Sequence, residues 1–177
     1  MGHIPQLGEL TLVLPLPPSI NHQYATVQGR RVLSRAGREY KVLVAEAVEH
    51  WLEQHQLPAT AATLFQRQYL ALTITFYFAT ALRRDLDGGL KIAQDALCEA
   101  LGVNDNLVVE IHLSKRVDRQ HPRIELCLTV LSAAALAVDQ GAGDGPALPV
   151  PPEPRRKSRR RRKLRSLEEL ATRFNWE

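Results

Sequence analysis

Apolar residues alternate with polar or small ones in four stretches of the chain and recur at helical spacing in two more. Leu10, Leu12, Leu14 and Leu16 alternate with Thr11, Val13 and Pro15, which predicts a first strand with one buried face. It runs into Pro17-Pro18-Ser19-Ile20-Asn21, expected to leave the strand as a stiff extended exit. Proline fixes its own φ and steers the residue before it away from helix. Tyr24 to Val27 and Arg30 to Leu33 flank Gln28-Gly29, a pattern that suits a small hairpin. Ser34 is placed to cap a helix whose Tyr40, Leu43, Val44, Ala47, Val48, Trp51 and Leu52 share one face. Leu57-Pro58 ends that helix, and residues 58–66 read as a loop.

Leu70, Leu72, Ile74, Phe76 and Phe78 alternate with Ala71, Thr73, Thr75 and Tyr77, the clearest strand in the chain. A helix is expected next, with Leu86, Leu90, Ala93, Leu97 and Leu101 on one stripe and Gly102 as its stop. Val109, Ile111 and Leu113, then Ile124, Leu126, Leu128 and Val130, predict two last strands, most simply an antiparallel pair. The order β-(hairpin)-α-β-α-β-β describes an α/β or α+β domain with a small mixed sheet and two main helices.

The pattern stops near residue 131. Residues 132–154 are rich in Ala, Gly and Pro, cannot build a core, and read as a flexible linker after a domain spanning 1–131. Residues 155–177 open on RRKSRRRRKLR and continue into Ser166-Leu167-Glu168-Glu169, a capping box before a short amphipathic helix. Charge divides along the same boundary. Residues 155–165 hold nine of the 23 Lys and Arg, whereas residues 1–154 carry 13 basic and 16 acidic groups, a net of −3. The positive balance of the chain belongs to its tail, which suits sequence-independent phosphate contacts or, alternatively, a solvated or targeting segment.

Cys98 and Cys127 lack CxxC spacing and read as reduced core thiols. The first residues show neither a basic start nor an apolar run, and no stretch approaches the ~18 apolar residues of a membrane span. A soluble, cytoplasmic protein is expected, nucleoid-associated if bacterial. The histidines are scattered and match no zinc-ligand spacing.

Chemistry concentrates in Arg83-Arg84-Asp85-Leu86-Asp87-Gly88-Gly89-Leu90-Lys91, where the clearest strand hands over to a helix. On an extended backbone Asp85 and Asp87 point to the same side, and Lys91 lies one helical turn beyond Asp87. Asp105 sits in the polar break before the next strand. A lone Asp at such a junction is commonly a helix cap. Two of them, with a lysine and a third acid, are better explained by a cation, because crowded carboxylates repel. Mg²⁺ suits such a set, since it takes one or two carboxylates and completes its shell with water and phosphate oxygens. Gly88-Gly89 in a first helical turn costs roughly 1 kcal/mol each relative to Ala. Either a phosphate backbone approaches there or the pair makes a tight packing contact.

Asp85-x-Asp87-x-x-x-Lys91, followed by Asp95-Ala-Leu and then Asn104-Asp105-x-x-Val108-Val109, resembles the RusA family of Holliday junction endodeoxyribonucleases. Pro17-Pro18-Ser19-x-Asn21 is similar to that family's N-terminal signature, and the resemblance covers about residues 10–130. It implies a Mg²⁺-dependent homodimer, with Mn²⁺ as the alternative cation, that nicks four-way DNA junctions in pairs during recombination and repair. By the same resemblance Asp85, Asp87 and Asp105 are the metal-binding catalytic acids and Lys91 the active-site lysine. Asp95 is an accessory acid that caps or braces the helix, and Asn21 is a further accessory position. The family commonly has Asn where this chain has Gly88. The expected reaction is in-line attack of water that leaves 5′-phosphate and 3′-hydroxyl ends, with Lys91 lending positive charge to a phosphate oxygen.

Eleven of the 13 basic residues before the tail fall in three clusters, at 30–41, 83–84 and 115–123. Arg30, Arg31, Arg35, Arg83, Arg84, Lys115 and Arg116 are the candidate DNA contacts. Two other readings compete: a noncatalytic nucleic-acid binder whose acids are caps, and a nuclease acting on other branched DNA.

Overall fold

The structure, a computed structural model, describes residues 8–57, 59–81 and 85–131. The strands and α-helices follow in the order β1 (Glu9–Leu14), α1 (Ile20–Gln23), β2 (Tyr24–Val27), β3 (Arg30–Leu33), α2 (Arg35–Gln54), β4 (Leu70–Phe78), α3 (Leu90–Leu101), β5 (Val108–Val117) and β6 (Arg123–Val130). The mixed α and β class expected from the periodicity is what the chain builds. The linker, the basic run, the terminal helix and Arg83-Arg84 all lie outside the described residues.

One four-stranded sheet has the order β1-β6-β4-β5, and β2-β3 form a separate hairpin. The hairpin turns at Gln28 and Gly29, whose φ values of 49° and 74° are the two positive angles a two-residue turn of this hand requires. β4 runs parallel to β5 and antiparallel to β6, while β6 also pairs antiparallel with β1. The expected antiparallel pairing of the last two strands is therefore wrong: β5 and β6 flank β4 on opposite sides. The crossover explains it, because β4-α3-β5 joins two parallel neighbours through a helix. Burial explains the remainder. β6 buries Ile124, Leu126 and Leu128 and lies between two partners, whereas β5 carries Glu110, His112, Lys115 and Arg116 and lies at an edge, where charge is tolerated. The β5-β6 connection crosses the end of β4, where the Asp118 amide donates to the Phe78 carbonyl at 2.9 Å.

The buried faces of β1 (Leu10, Leu12, Leu14), β4 (Leu70, Leu72, Ile74, Phe76) and β6 form one core with α2 and α3. Each such side chain contributes roughly 1.5–3 kcal/mol when fully buried. α2 supplies Tyr40, Val44, Val48 and Trp51, the stripe read from its spacing, and the Ser34 hydroxyl caps it by accepting from the Gly37 amide at 3.0 Å. α3 supplies Ile92, Ala93, Ala96, Leu97 and Leu101, and Gly102 ends it at φ 65°. Lys41 on α2 pairs with Glu99 on α3 at 2.6 Å.

Three local expectations change. Residues 58–66 are not a plain loop, because Ala59–Arg67 form a 3₁₀ helix that buries Phe65. Pro17 to Asn21 is not extended throughout, since α1 begins at Ile20 once the two prolines are passed. α3 starts at Leu90 rather than Leu86, which leaves Asp85 to Gly89 as a turn before the helix. Among the described residues no helix is long and apolar enough to cross a membrane.

Candidate active site

The turn between β4 and α3 is closed by backbone bonds. The Gly88 amide donates to the Asp85 carbonyl at 3.4 Å and the Leu90 amide to the Asp87 carbonyl at 2.9 Å. Its two aspartates are exposed, and among the described residues neither carboxylate has a hydrogen-bond or ion-pair partner. Gly89 packs where the turn meets the sheet. A Cβ there would lie 2.5 Å from Pro17 Cγ and 3.1 Å from Phe76 Cε1. Of the two readings of the glycine pair, tight packing is thus the one Gly89 satisfies. The helix-interior cost does not apply, because both glycines precede the first residue of α3.

Lys91 stands in the first turn of α3 with its side chain largely exposed, and its Nζ donates to Asp95 Oδ1 at 2.8 Å. The same Nζ is 3.9 Å from Asp105 Oδ2. Its pKa is raised, first by the hydrogen bond to Asp95; partial burial opposes this as the next effect in size, and the charges of Asp95 and Asp105 and the Tyr24 phenol add to the rise. Asp105 opens a short 3₁₀ turn, where Asn104 Oδ1 accepts from the Asn106 amide at 3.3 Å. Cys98 lies behind this group. Burial pushes its thiol up to about 12, and the negative charges of Asp105 and Asp95 add to the effect.

The structure thus brings Lys91, Asp95 and Asp105 together and places Asp85 and Asp87 on the turn that leads into the same helix. Among the described residues, no three His, Cys, Asp or Glu side chains stand close enough together to hold one metal ion. The three expected acids are therefore not gathered as they stand. Lys91 pairs forward with Asp95, its i+4 neighbour on one helix face, and lies within ion-pair range of Asp105. The chemistry of the donor set nevertheless fits a hard divalent cation. Among the described residues Asp85 and Asp87 offer two carboxylates without partners, two residues apart on an exposed turn, and Asp105 is held there by one long ion pair to Lys91. Asn21 sits exposed in α1, with no side-chain hydrogen bond found among the described residues.

Several basic candidates converge on the same end of the sheet. Parallel pairing sets Phe76 beside Lys115 and Tyr77 beside Arg116, so those two residues lie at the end of β4 against which Gly89 packs. Arg30 and Arg31 are exposed on β3, and the Arg31 guanidinium lies 4.1 Å from the centre of the Tyr24 ring, whose hydroxyl Lys91 senses. Arg35 is exposed and paired with Glu39 at 2.7 Å. Arg123 is committed elsewhere: it bonds Asp118 at 2.6 Å and Glu125 at 2.7 Å and covers the Tyr77 ring at 3.9 Å. Sequence reasoning missed Tyr24 and Tyr77. An aromatic residue facing a cluster of arginines across a strand pair is the pattern that finds both.

The family model described as "Endodeoxyribonuclease RusA" matches residues 15–129. A protein of Escherichia coli O139:H28 named "Crossover junction endodeoxyribonuclease RusA" is 30% identical over 126 residues, covering 71% of this chain and 98% of its own length. The protein of the same name from Escherichia coli K12 is 29% identical over 124 residues, covering 70% and 96%. Among solved structures, a 2C-methyl-D-erythritol 2,4-cyclodiphosphate synthase from Plasmodium vivax overlays with a TM-score of 0.26 at 10% identity, covering 70% of this chain and 93% of that one. A likeness that slight says nothing about function.

Proposed function

Because the chain belongs to the endodeoxyribonuclease RusA family, we propose that it is a divalent-metal-dependent, structure-selective endonuclease. It resolves four-way DNA junctions as a homodimer, in recombination and repair. The observation that carries this reading is the placement of the acids. The family match spans Asp85, Asp87, Lys91 and Asp105 in one segment, and the first two are exposed on a single turn, without partners among the described residues.

Asp85 and Asp87 would hold the cation, with Asp105 joining them from beside Lys91; Mg²⁺ is the expected ion and Mn²⁺ its substitute. A divalent cation bound there supplies Lewis acidity toward a phosphoryl oxygen and lowers the pKa of a water. Lys91, kept protonated by Asp95, offers its Nζ hydrogens to a phosphate oxygen as negative charge grows on it. Arg30, Arg31, Lys115 and Arg116 position the backbone of the branched DNA without reading its bases. A homodimer would match the twofold symmetry of a four-way junction. The basic tail adds sequence-independent affinity.

Asp85→Asn and Asp105→Asn should each lower Mg²⁺-dependent cleavage of a fluorescent synthetic junction by about a hundredfold or more. Junction binding in metal-free buffer should persist, and linear duplex is the control. Cleavage undiminished in either variant would sink the assignment.

A further inference from the structure

Gln23 is the one polar side chain that is fully buried among the described residues. It closes α1, and its Nε2 donates to the Pro18 carbonyl at 3.0 Å and to the Gly88 carbonyl at 3.1 Å. Both partners are acceptors, so the amide nitrogen, not its oxygen, must face them. The Oε1 atom is buried and finds no partner among the described residues. A buried amide that leaves its own oxygen unpaired opposes folding, whereas Leu or Met would fill a similar volume without that penalty. Its presence points to a task beyond packing.

The backbone around Gln23 is itself held. Its carbonyl accepts from the Ser34 amide at 2.8 Å, and the Ser34 hydroxyl donates to the His22 carbonyl at 2.6 Å. Gly37 gives this carbonyl room, since a Cβ there would lie 3.0 Å from it. Gln23 is thus anchored to the start of α2, and from that anchor it reaches the residue that follows Asp87. Pro17, from the same segment, packs on Gly89. The turn carrying Asp85 and Asp87 is held from outside at both of its glycines: Gly88 through its carbonyl, Gly89 through a van der Waals contact.

We propose that Gln23 is a positioning residue for Asp85 and Asp87, fixing the Gly88 peptide so that the exposed turn presents both carboxylates to a divalent cation. This rests on the reading of those two acids as metal-holding. Gly88 has no side chain with which to order its own peptide, and Gln23 supplies that order from a segment remote in sequence.

The test uses the full chain with Gln23→Met, and with Gln23→Asn as a second variant that keeps an amide but is one methylene too short to span Pro18 and Gly88. Two quantities are measured. Hydrogen exchange of the Leu90 amide, which closes the turn on Asp87, should quicken by about tenfold while Val44 and Leu97 in the core keep their protection. The Mn²⁺ dissociation constant, read by electron paramagnetic resonance, should rise by about tenfold. Junction binding in metal-free buffer should stay as in the parent chain. Unchanged exchange at Leu90, or a rise shared equally by Val44 and Leu97, would overturn the proposal, as would an unchanged Mn²⁺ affinity. Should the parent chain itself fail to bind Mn²⁺, the metal reading of Asp85 and Asp87 fails, and the proposal with it. The exchange of Leu90 then still reports whether Gln23 braces the turn.

Discussion

Gly89 has no room for a side chain, and Gly88 beside it does. A Cβ at Gly89 would press on Pro17 and Phe76, whereas at Gly88 it would meet, among the described residues, only the Asp85 carbonyl oxygen at an ordinary 3.4 Å. Gly89→Ala should therefore cost about 1–3 kcal/mol, the range for overpacking, visible as a lowered Tm. Gly88→Asn, which introduces the residue common in the family, should leave Tm within a few degrees. The sequence showed the glycine pair and the departure at Gly88 but not which member was sterically bound, because Pro17 and Phe76 arrive from other elements. Lys91 was legible as a cationic partner of acids, although the nearest of them is Asp95. Its raised pKa means that it stays protonated up to and past its ordinary value of 10.5. The pH profile of cleavage should accordingly show no loss from Lys91 up to about pH 9.5. Lys91→Met should lower the cleavage rate on the order of a hundredfold, with a smaller effect on junction affinity. A loss confined to affinity would place Lys91 among the DNA contacts instead.

The strands were legible one by one, but their neighbours were not. Alternation reports which face of a strand is buried and says nothing of its partner, so adjacency in sequence is no guide to adjacency in the sheet. The corrective was present in the residue types: β6 is apolar at every inward position, as an interior strand requires, and β5 is charged, as an edge allows. Because β5 pairs with β4 in parallel, its basic end reaches the same end of the sheet as the acidic turn. The connection that carries the chain past β4 is fastened by Arg123 to Asp118 and Glu125, and the Tyr77 hydroxyl donates to Glu125 at 2.9 Å. The carboxyl of Asp118 is held below its ordinary value by the His121 amide and by Arg123, and that of Glu125 by Arg123 and the Tyr77 hydroxyl. Groups depressed in the folded state contribute stability above their unfolded values and lose it as pH falls through the folded ones. The cluster should therefore hold above roughly pH 4.5 and weaken below about pH 4. In Arg123→Ala, Tm at neutral pH should drop and its decline with acid should be shallower than in the parent chain, as followed by circular dichroism. Parallel acid curves would show that the cluster does not fasten the connection.

For the whole molecule, charge is the property that sequence alone located, and the fold explains how a net-negative domain can meet DNA. Asp95 and Asp105 meet Lys91 of α3, and Asp85 and Asp87 lie on the turn that leads into that helix. The arginines and lysines of β3 and β5 reach that end of the molecule through the hairpin and the parallel edge, so the local field differs from the average. The proposed homodimer has no counterpart in periodicity, because the residues of a symmetric interface need share no spacing. The basic run at 155–165 lies beyond the end of the family match at residue 129, so the family chemistry should not depend on it. The contribution to binding proposed for it is electrostatic, and electrostatic binding to duplex DNA loses about 0.9 of a logarithmic unit of affinity per logarithmic unit of salt for each phosphate neutralised. A chain ending at residue 154 loses nine basic groups of that run. Its binding to a four-way junction, measured by fluorescence anisotropy between about 50 and 200 mM salt, should show a slope shallower by several units. Its Mg²⁺-dependent cleavage at low salt should survive, because Asp85, Asp87, Lys91 and Asp105 all remain. An unchanged slope would remove the tail from the DNA interface. Cleavage lost at low salt despite intact binding would mean that the tail acts on the reaction itself.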